Sequence, residues 1–345
     1  MKRLILCCDG TWNTADHEEA GEPCPSNVVK LALRIAKRAG DVSQIIFYDQ
    51  GVGTGNSVDK ATGGTFGCGL EDNIHDAYRF LLANYEPGDE IYLFGFSRGA
   101  FTARSTVGMI RKCGILQRKF AQHYRDAITL YRKRDSSPDS MEATQFRKSF
   151  SVNGDDGVPI KFLGVWDTVG ALGIPARGLR WFTHEKYQFH DMELSQTVEF
   201  ACHALAIDEH RAPFEPSIWS YNPKPGQTVD QVWFCGAHSD IGGGYAECRL
   251  SDIALDWMIQ KAQQAGLGFD NDVVQAHPLQ PDPLGKLHNS KTSFYRLTPG
   301  IDRKLGQTQS LHPSVLARWD ADAKYRPKEL RRYLQQIGDP RGAAN

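Results

Sequence analysis

The stretch Glu90-Ile91-Tyr92-Leu93-Phe94-Gly95-Phe96-Ser97-Arg98-Gly99-Ala100 decides how the rest of the chain is read. Its first half is a short apolar run with a charged start, preceded by the punctuating Pro87-Gly88-Asp89, as a buried parallel strand reads. Its second half places glycines two residues before and two after Ser97. A sharp strand-to-helix turn that holds a serine in a strained conformation needs that spacing, because a Cβ on either flank would clash. From Ala100 to Lys112 the pattern is helical, with Gly114 as the stop. A bare GxSxG arises by chance in many chains. Strand, Gly-flanked turn and helix together make Ser97 a candidate nucleophile rather than a solvated serine in a Gly-rich turn.

Outward from this stretch, strands and helices alternate. Arg3 to Cys8 reads as a buried strand. Pro25-Ser26 opens a helix to about Arg38, with Val29, Leu33 and Ala36 on one face. Gln44 to Tyr48 is a second strand, and Glu71 to Tyr85 an amphipathic helix through Ile74, Ala77, Tyr78, Leu81, Leu82 and Tyr85. This order predicts an α/β fold, a mostly parallel sheet covered by helices on both faces. The alternation pauses over 117–153. Two charged helical stretches there, Gln117 to Lys133 and Met141 to Phe150, carry the stripe Phe120, Tyr124, Ala127, Ile128, Tyr131 and read as an inserted helical cap. That segment, and Trp181-Phe182 within Gly178 to Tyr187, are the candidates for a lid, and their apolar aromatics read equally well as cap-to-core packing. Strands resume at Val158 to Trp166 and Val229 to Cys235, and Leu250 to Ala265 is a helix. Residues 266–345 form a loop-rich C-terminal extension closed by a basic helix from Lys328 to Gln336, so that 1–345 reads as one domain.

The bulk numbers fit that picture. The chain has 345 residues, 41% of them hydrophobic and 23% charged, as ordinary globular proteins do. A net charge of -1 gives no drive toward nucleic acid or an anionic membrane. The apolar run Leu4 to Cys8 is too short for a signal peptide, and no stretch approaches a membrane span, so a cytoplasmic chain is expected, with any export through a signal-independent route. The eight cysteines include no CxxC pair and read as small core residues, which points away from a disulfide scaffold and from structural zinc.

A serine hydroxyl needs a base within hydrogen-bond reach, and the base needs an orienting acid. Gly164-Val165-Trp166-Asp167 and Trp233-Phe234-Cys235-Gly236-Ala237-His238 place Asp167 and His238 at the carboxyl ends of strands, where ligand sites of parallel sheets form. Asp167 as a helix cap and His238 as a core histidine are the bland readings. His203, His210 and His312 are rival bases, the first two on or beside a stretch that reads as helical, and Asp240 is a rival acid or a supporting carboxylate. The oxyanion hole needs two N–H groups. Arg98 should supply one, and the loop Asp9-Gly10-Thr11-Trp12 the other through Gly10 or Thr11, with Asp9 free to pair with Arg98 and Trp12 to line the substrate. Gln50 to Gly69 holds glycines 51, 53, 55, 63, 64, 67 and 69 without a Walker lysine, and reads as a mobile loop near the site.

CDGTWN at 8–13, GVGT at 51–54, GFSRGAFTAR at 95–104, GVWDTVG at 164–170 and GAHSDIGGGY at 236–245 together resemble a bacterial domain family of the α/β-hydrolase type that includes type VI secretion phospholipase effectors. The resemblance runs from the N-terminus to about residue 260, with a looser echo in His312-Pro313-Ser314-Val315. It implies Ser97, Asp167 and His238 as a triad and hydrolysis of lipid esters, with phospholipase A activity and extra membrane-contacting regions in the effector members. On the residues alone, the leading reading is a serine hydrolase of lipid or small-molecule esters that needs no metal or cofactor, with peripheral contact to a membrane as a further expectation. Two other classes compete. A metal-dependent phosphoesterase would use Asp9, Asp167, His238 and Asp240. A catalytically idle hydrolase fold would serve as a binding module and leave Ser97 unreactive.

Overall fold

A computed structural model describes residues 1–10, 18–19, 21–51, 65–169, 194–291 and 300–343. In chain order its strands and helices are β1 (Lys2–Cys8), the short ribbon of β2 (Glu18–Glu19) and β3 (Glu22–Pro23), α1 (Asn27–Arg34), β4 (Arg38–Ala39), β5 (Val42–Asp49), α2 (Thr65–Asn84), β6 (Glu90–Phe96) and α3 (Arg98–Cys113). Then come α4 (Tyr124–Arg132), α5 (Met141–Phe150), β7 (Ile160–Trp166), β8 (Val198–Ala206), β9 (Thr228–Phe234) and α6 (His238–Gly242). The chain closes with α7 (Arg249–Gln264), α8 (Asn271–Ala276), β10 (Ser310–Leu311), α9 (Pro313–Ala321) and α10 (Lys328–Gln336).

One sheet organises the molecule, in the order β10-β9-β8-β7-β6-β1-β5-β4. Every pair is parallel except the edge hairpin β4–β5. The mostly parallel α/β architecture expected from the sequence is therefore present. Both faces are buried, and the period of two along each strand sorts side chains between them. Leu4, Leu6, Ile91, Leu93, Leu163 and Val165 meet α2 and α3 on one face. Ile5, Cys7, Tyr92, Phe94, Phe162 and Trp166 meet α1 and α7 on the other. A third cluster packs Leu205 and Trp233 under α9 and α10, so the C-terminal extension is part of the core. The described cysteines are free, and all but Cys248 are buried.

The chain reverses direction across β1, which pairs with β5 on one side and β6 on the other. The carboxyl ends of β1 and β6 therefore flank a switch point, where parallel sheets leave a crevice. Gly99, in the first turn of α3, lets that helix close against the first strand: a Cβ there would meet the carbonyls of Cys8 and Asp9. At the mirrored position, a Cβ on Gly95 would meet the backbone of Gly99 and Ala100.

Several elements differ from the expectation. The first helix stops at Arg34 instead of Arg38, because Ile35 turns extended to bridge Phe269 and the chain then forms the β4 hairpin. Its buried face is Val28, Val29 and Leu31, and Leu33 points to solvent. The stretch around His203, which read as helical, is the strand β8 between β7 and β9. Helix α2 starts at Thr65, inside the Gly-rich stretch, of which 52–64 lie outside the described residues.

The segment 117–153 holds α4 and α5, and of its two readings, lid or cap-to-core packing, the contacts fit the packing. Lys112 Nζ donates to the carbonyls of Tyr131 and Lys133 at 3.3 and 2.5 Å, Cys113 Sγ reaches that of Ala127 at 3.2 Å, and Arg147 donates to that of Lys112 at 3.0 Å. These contacts fix α4 and α5 to the last turn of α3. Ser97 sits at the other end of that 16-residue helix, about 24 Å away at 1.5 Å per residue. The apolar stripe of α4 is spent on packing against α2 and α3. The other lid candidate, Trp181-Phe182, lies outside the described residues.

Replacing Gly99 with alanine forces backbone against backbone at the switch point, where no side chain can give way. Denaturant unfolding of Gly99→Ala should show a loss of roughly 3 kcal/mol; a loss below about 1 kcal/mol would mean that α3 does not seat on the first strand as described.

Candidate active site

Among the described residues, Ser97 and Asp167 are the only non-glycines with positive φ, at 58° and 39°. Both directly follow strands at the carboxyl edge of the sheet, where Ser97 N–H donates to Trp166 O at 3.0 Å and Asp167 N–H to Ala204 O at 2.8 Å. Such backbone costs on the order of 1–3 kcal/mol per residue and persists only where the surroundings impose it. Here the parallel pairing of β6, β7 and β8 imposes it, and it turns both side chains toward the crevice beyond the strands.

His238 joins them. Its Nε2 lies 2.8 Å from Ser97 Oγ and its Nδ1 2.6 Å from Asp167 Oδ2. Ser97 and His238 are each 4% exposed and Asp167 0%. Burial pushes the His238 imidazole below its usual range, an effect that Arg211 reinforces and Asp167 opposes. The ring is held between Phe96 and Phe214, at centroid distances of 4.6 and 4.9 Å.

Burial would raise Asp167, yet its carboxyl is held well below the usual carboxylate range, chiefly by Arg303 and then by His238. Arg303 Nη1 donates to Oδ1 at 2.6 Å and Nη2 to Oδ2 at 3.0 Å, and Ala206 N–H donates to Oδ1 at 3.0 Å. Sequence reading missed Arg303. It stands in a loop with no periodicity, far along the chain from its partner. The signal available was chemical: a buried carboxylate at a strand end requires a counter-charge.

Two further carboxylates hold the helix that carries His238. Glu209, 0% exposed, accepts from the His238 N–H at 3.3 Å, from Ser290 Oγ at 2.8 Å and from Arg211. Asp240 accepts from Ala237 N–H at 2.9 Å and lies 2.6 Å from His288 Nδ1. Asp240 is thus a helix cap held by His288, and the acid facing His238 is Asp167. Gly243, at φ 82°, lets this segment close on the Ser26–Asn27 backbone.

The remaining sequence candidates fall in different places. Asp9 is buried and accepts from Ser26 Oγ at 2.6 Å and Tyr48 OH at 2.8 Å. Gly10 N–H donates to Asp9 Oδ1 at 2.6 Å, so in this conformation Gly10 does not supply the expected second oxyanion donor. Thr11 and Trp12 lie outside the described residues. Arg98 opens α3, a position whose N–H has no acceptor within the helix. His203 is buried in β8 and accepts from Thr168 N–H at 3.2 Å, holding the residue beside Asp167. His210 is exposed near Ile301 and Asp302. His312 caps α9 and stacks on Phe234. The four residues of the phosphoesterase reading do not converge. Asp167 and His238 bond each other, Asp9 bonds Ser26 and Tyr48, and Asp240 bonds His288. Among the described residues, no group of three or more His, Cys, Asp or Glu side chains is arranged to hold a metal ion. No described helix is long and apolar enough to cross a membrane.

Residues 2–261 match the family model for the type VI secretion system phospholipase effector Tle1-like catalytic domain. The chain belongs to that family. An uncharacterized protein of Saccharomyces cerevisiae is 32% identical over 318 residues, which are 84% of this chain and 43% of the yeast protein. A relative of this chain is therefore found outside bacteria. Among solved structures, an uncharacterized protein from Pseudomonas aeruginosa is similar at 19% identity and a TM-score of 0.44, over 78% of this chain and 46% of its own. The Tle1 effector bound to the VgrG spike from the type VI secretion system is similar at 20% identity and a TM-score of 0.40, over 70% and 51%. The chain thus spans about half the length, or less, of these relatives.

Burial, reinforced by Arg104, lowers His203 from 6.5 to about 3. Between those values the unfolded chain binds a proton that the folded protein refuses, so stability falls as pH drops through that window. His203→Gln keeps an acceptor for Thr168 N–H and removes the titration. Its melting temperature should decline less steeply than that of the wild type from pH 6.5 to 4; an equal slope would assign the acid lability elsewhere.

Proposed function

We propose that this chain hydrolyses carboxylic esters, the acyl esters of lipids or phospholipids, through Ser97, His238 and Asp167 and an acyl-enzyme. The observation that carries the reading is the unbroken hydrogen-bonded sequence Ser97 Oγ, His238, Asp167, with the serine raised on a left-handed turn. Membership of a phospholipase effector family supports lipid esters as the substrate class.

In this mechanism His238 Nε2 takes the Ser97 proton as Oγ adds to the ester carbonyl. The tetrahedral oxyanion is met by the Arg98 N–H at the positive end of α3, and Thr11 is the sequence candidate left for the second donor. Collapse expels the alcohol, which receives its proton from His238. Water, deprotonated by the same imidazole, then releases the acid and restores Ser97. Asp167 fixes the tautomer with the Nδ1 proton and balances the imidazolium that forms at each step. Phe96 and Phe214 keep the ring dry and still.

Intact-mass spectrometry after treatment with a fluorophosphonate should show one adduct, on Ser97, absent from Ser97→Ala and His238→Ala. A well-folded wild type that takes up no probe would sink the acyl-enzyme reading. Asp167→Asn should lower ester turnover by about 10⁴-fold, because the amide presents the wrong tautomer partner. A chelator should leave the rate unchanged; loss of activity with a chelator, kept in Ser97→Ala, would turn the reading to the phosphoesterase. Since His238 acts when neutral and its imidazole is lowered, the rate should hold as pH falls past 6.5, where an ordinary histidine would already be half protonated.

A further inference from the structure

We infer that the segment beyond the family-wide match completes the active site, with Arg303 as the positioning residue that holds Asp167 and sets the basicity of His238. This rests on the proposed Ser97–His238–Asp167 mechanism. The match ends at residue 261, and Arg303 lies well past it.

Arg303 is 3% exposed and spends its fork on both oxygens of Asp167, while the same nitrogens donate to the carbonyls of Ala206, at 2.8 Å, and Phe214. With Ala206 N–H and His238 Nδ1, Asp167 receives four donors and has one orientation. The backbone around Arg303 is fixed on both sides. Ile301 N–H donates to His210 O at 3.0 Å, Gly300 bridges Arg211, and Leu305 is buried with α9 and α10. The guanidinium therefore cannot follow a displaced carboxylate, and the carboxylate cannot turn away from His238.

The electrostatic effect follows. A cation on the far side of Asp167 weakens the field that would stabilise an imidazolium at His238. Among the described residues, removing it takes away the cation that faces His238 across Asp167, while Arg211, which lowers the imidazole, and Glu209, which raises it, stay in place, so the imidazole becomes more basic. A purely structural arginine would alter stability without moving that titration.

The experiment is the rate of fluorophosphonate labelling of Ser97 against pH, for wild type, Arg303→Lys, Arg303→Gln, Asp167→Asn and the double variants. Folding is checked for each by circular dichroism and melting. Arg303→Gln should lower the plateau rate at least about tenfold and move the acid limb up by roughly one pH unit. Arg303→Lys, which keeps the charge and loses the fork, should lower the plateau with the acid limb in place. Neither change should cost anything further on an Asp167→Asn background, because Arg303 acts through that carboxylate. Should Arg303→Gln fail to fold, Arg303→Lys with and without Asp167→Asn carries the same comparison. Wild-type profiles in the Arg303 variants, or equal losses on both backgrounds with an unmoved acid limb, overturn the assignment. A wild type that takes up no label overturns the nucleophile reading and this assignment with it; a labelled wild type with indifferent Arg303 variants overturns this assignment alone.

Discussion

An ionised carboxylate with no exposure to water is the constraint on which the rest of this structure depends. Burying such a charge costs several kcal/mol unless it is paired and hydrogen-bonded. Asp167 is satisfied from three parts of the chain at once. β7 delivers it, the end of β8 gives a backbone N–H, the short helix after β9 gives the imidazole, and the C-terminal segment gives the guanidinium. The sheet order makes this geometry available: β8 lies between β7 and β9, so the acid reaches past one strand end to meet the base.

The serine side of the site rests on steric permission. Ser97 stands at a left-handed turn that its neighbours could not make with side chains at Gly95 and Gly99. Those glycines also bring α3 against the carbonyl ends of β1, so one pair of residues serves the turn and the packing together. The switch point of the sheet falls at the same place, which is why the loop after β1 and the Ser97 turn share a crevice.

Much of this was legible in the sequence. The apolar runs gave β1, β5, β6, β7 and β9, the helix read from Ala100 ended at its Gly114 stop, and the basic helix fell at 328–336. Ser97, Asp167 and His238 were legible because each follows a strand with glycine or a turn nearby, a local pattern. What escaped was non-local or locally ambiguous. β8 is rich in alanine, and its pairing on both edges overrides that helical leaning. The charged helices of 117–153 announced an apolar stripe but not which surface would cover it. Arg303 announced nothing, because an arginine in a loop reads as solvated until the carboxylate it neutralises is located in space.

The seating of Arg303 also bears on how the molecule comes apart. A loop-rich tail is ordinarily the first region to open, at little cost to the rest of a domain. Here the segment around Arg303 cannot lift without stranding a buried negative charge beneath the sheet's edge, so local opening is penalised at Asp167. That segment and the strand ends it covers therefore belong to one cooperative unit, and fraying around Arg303 is felt as disorder at Asp167.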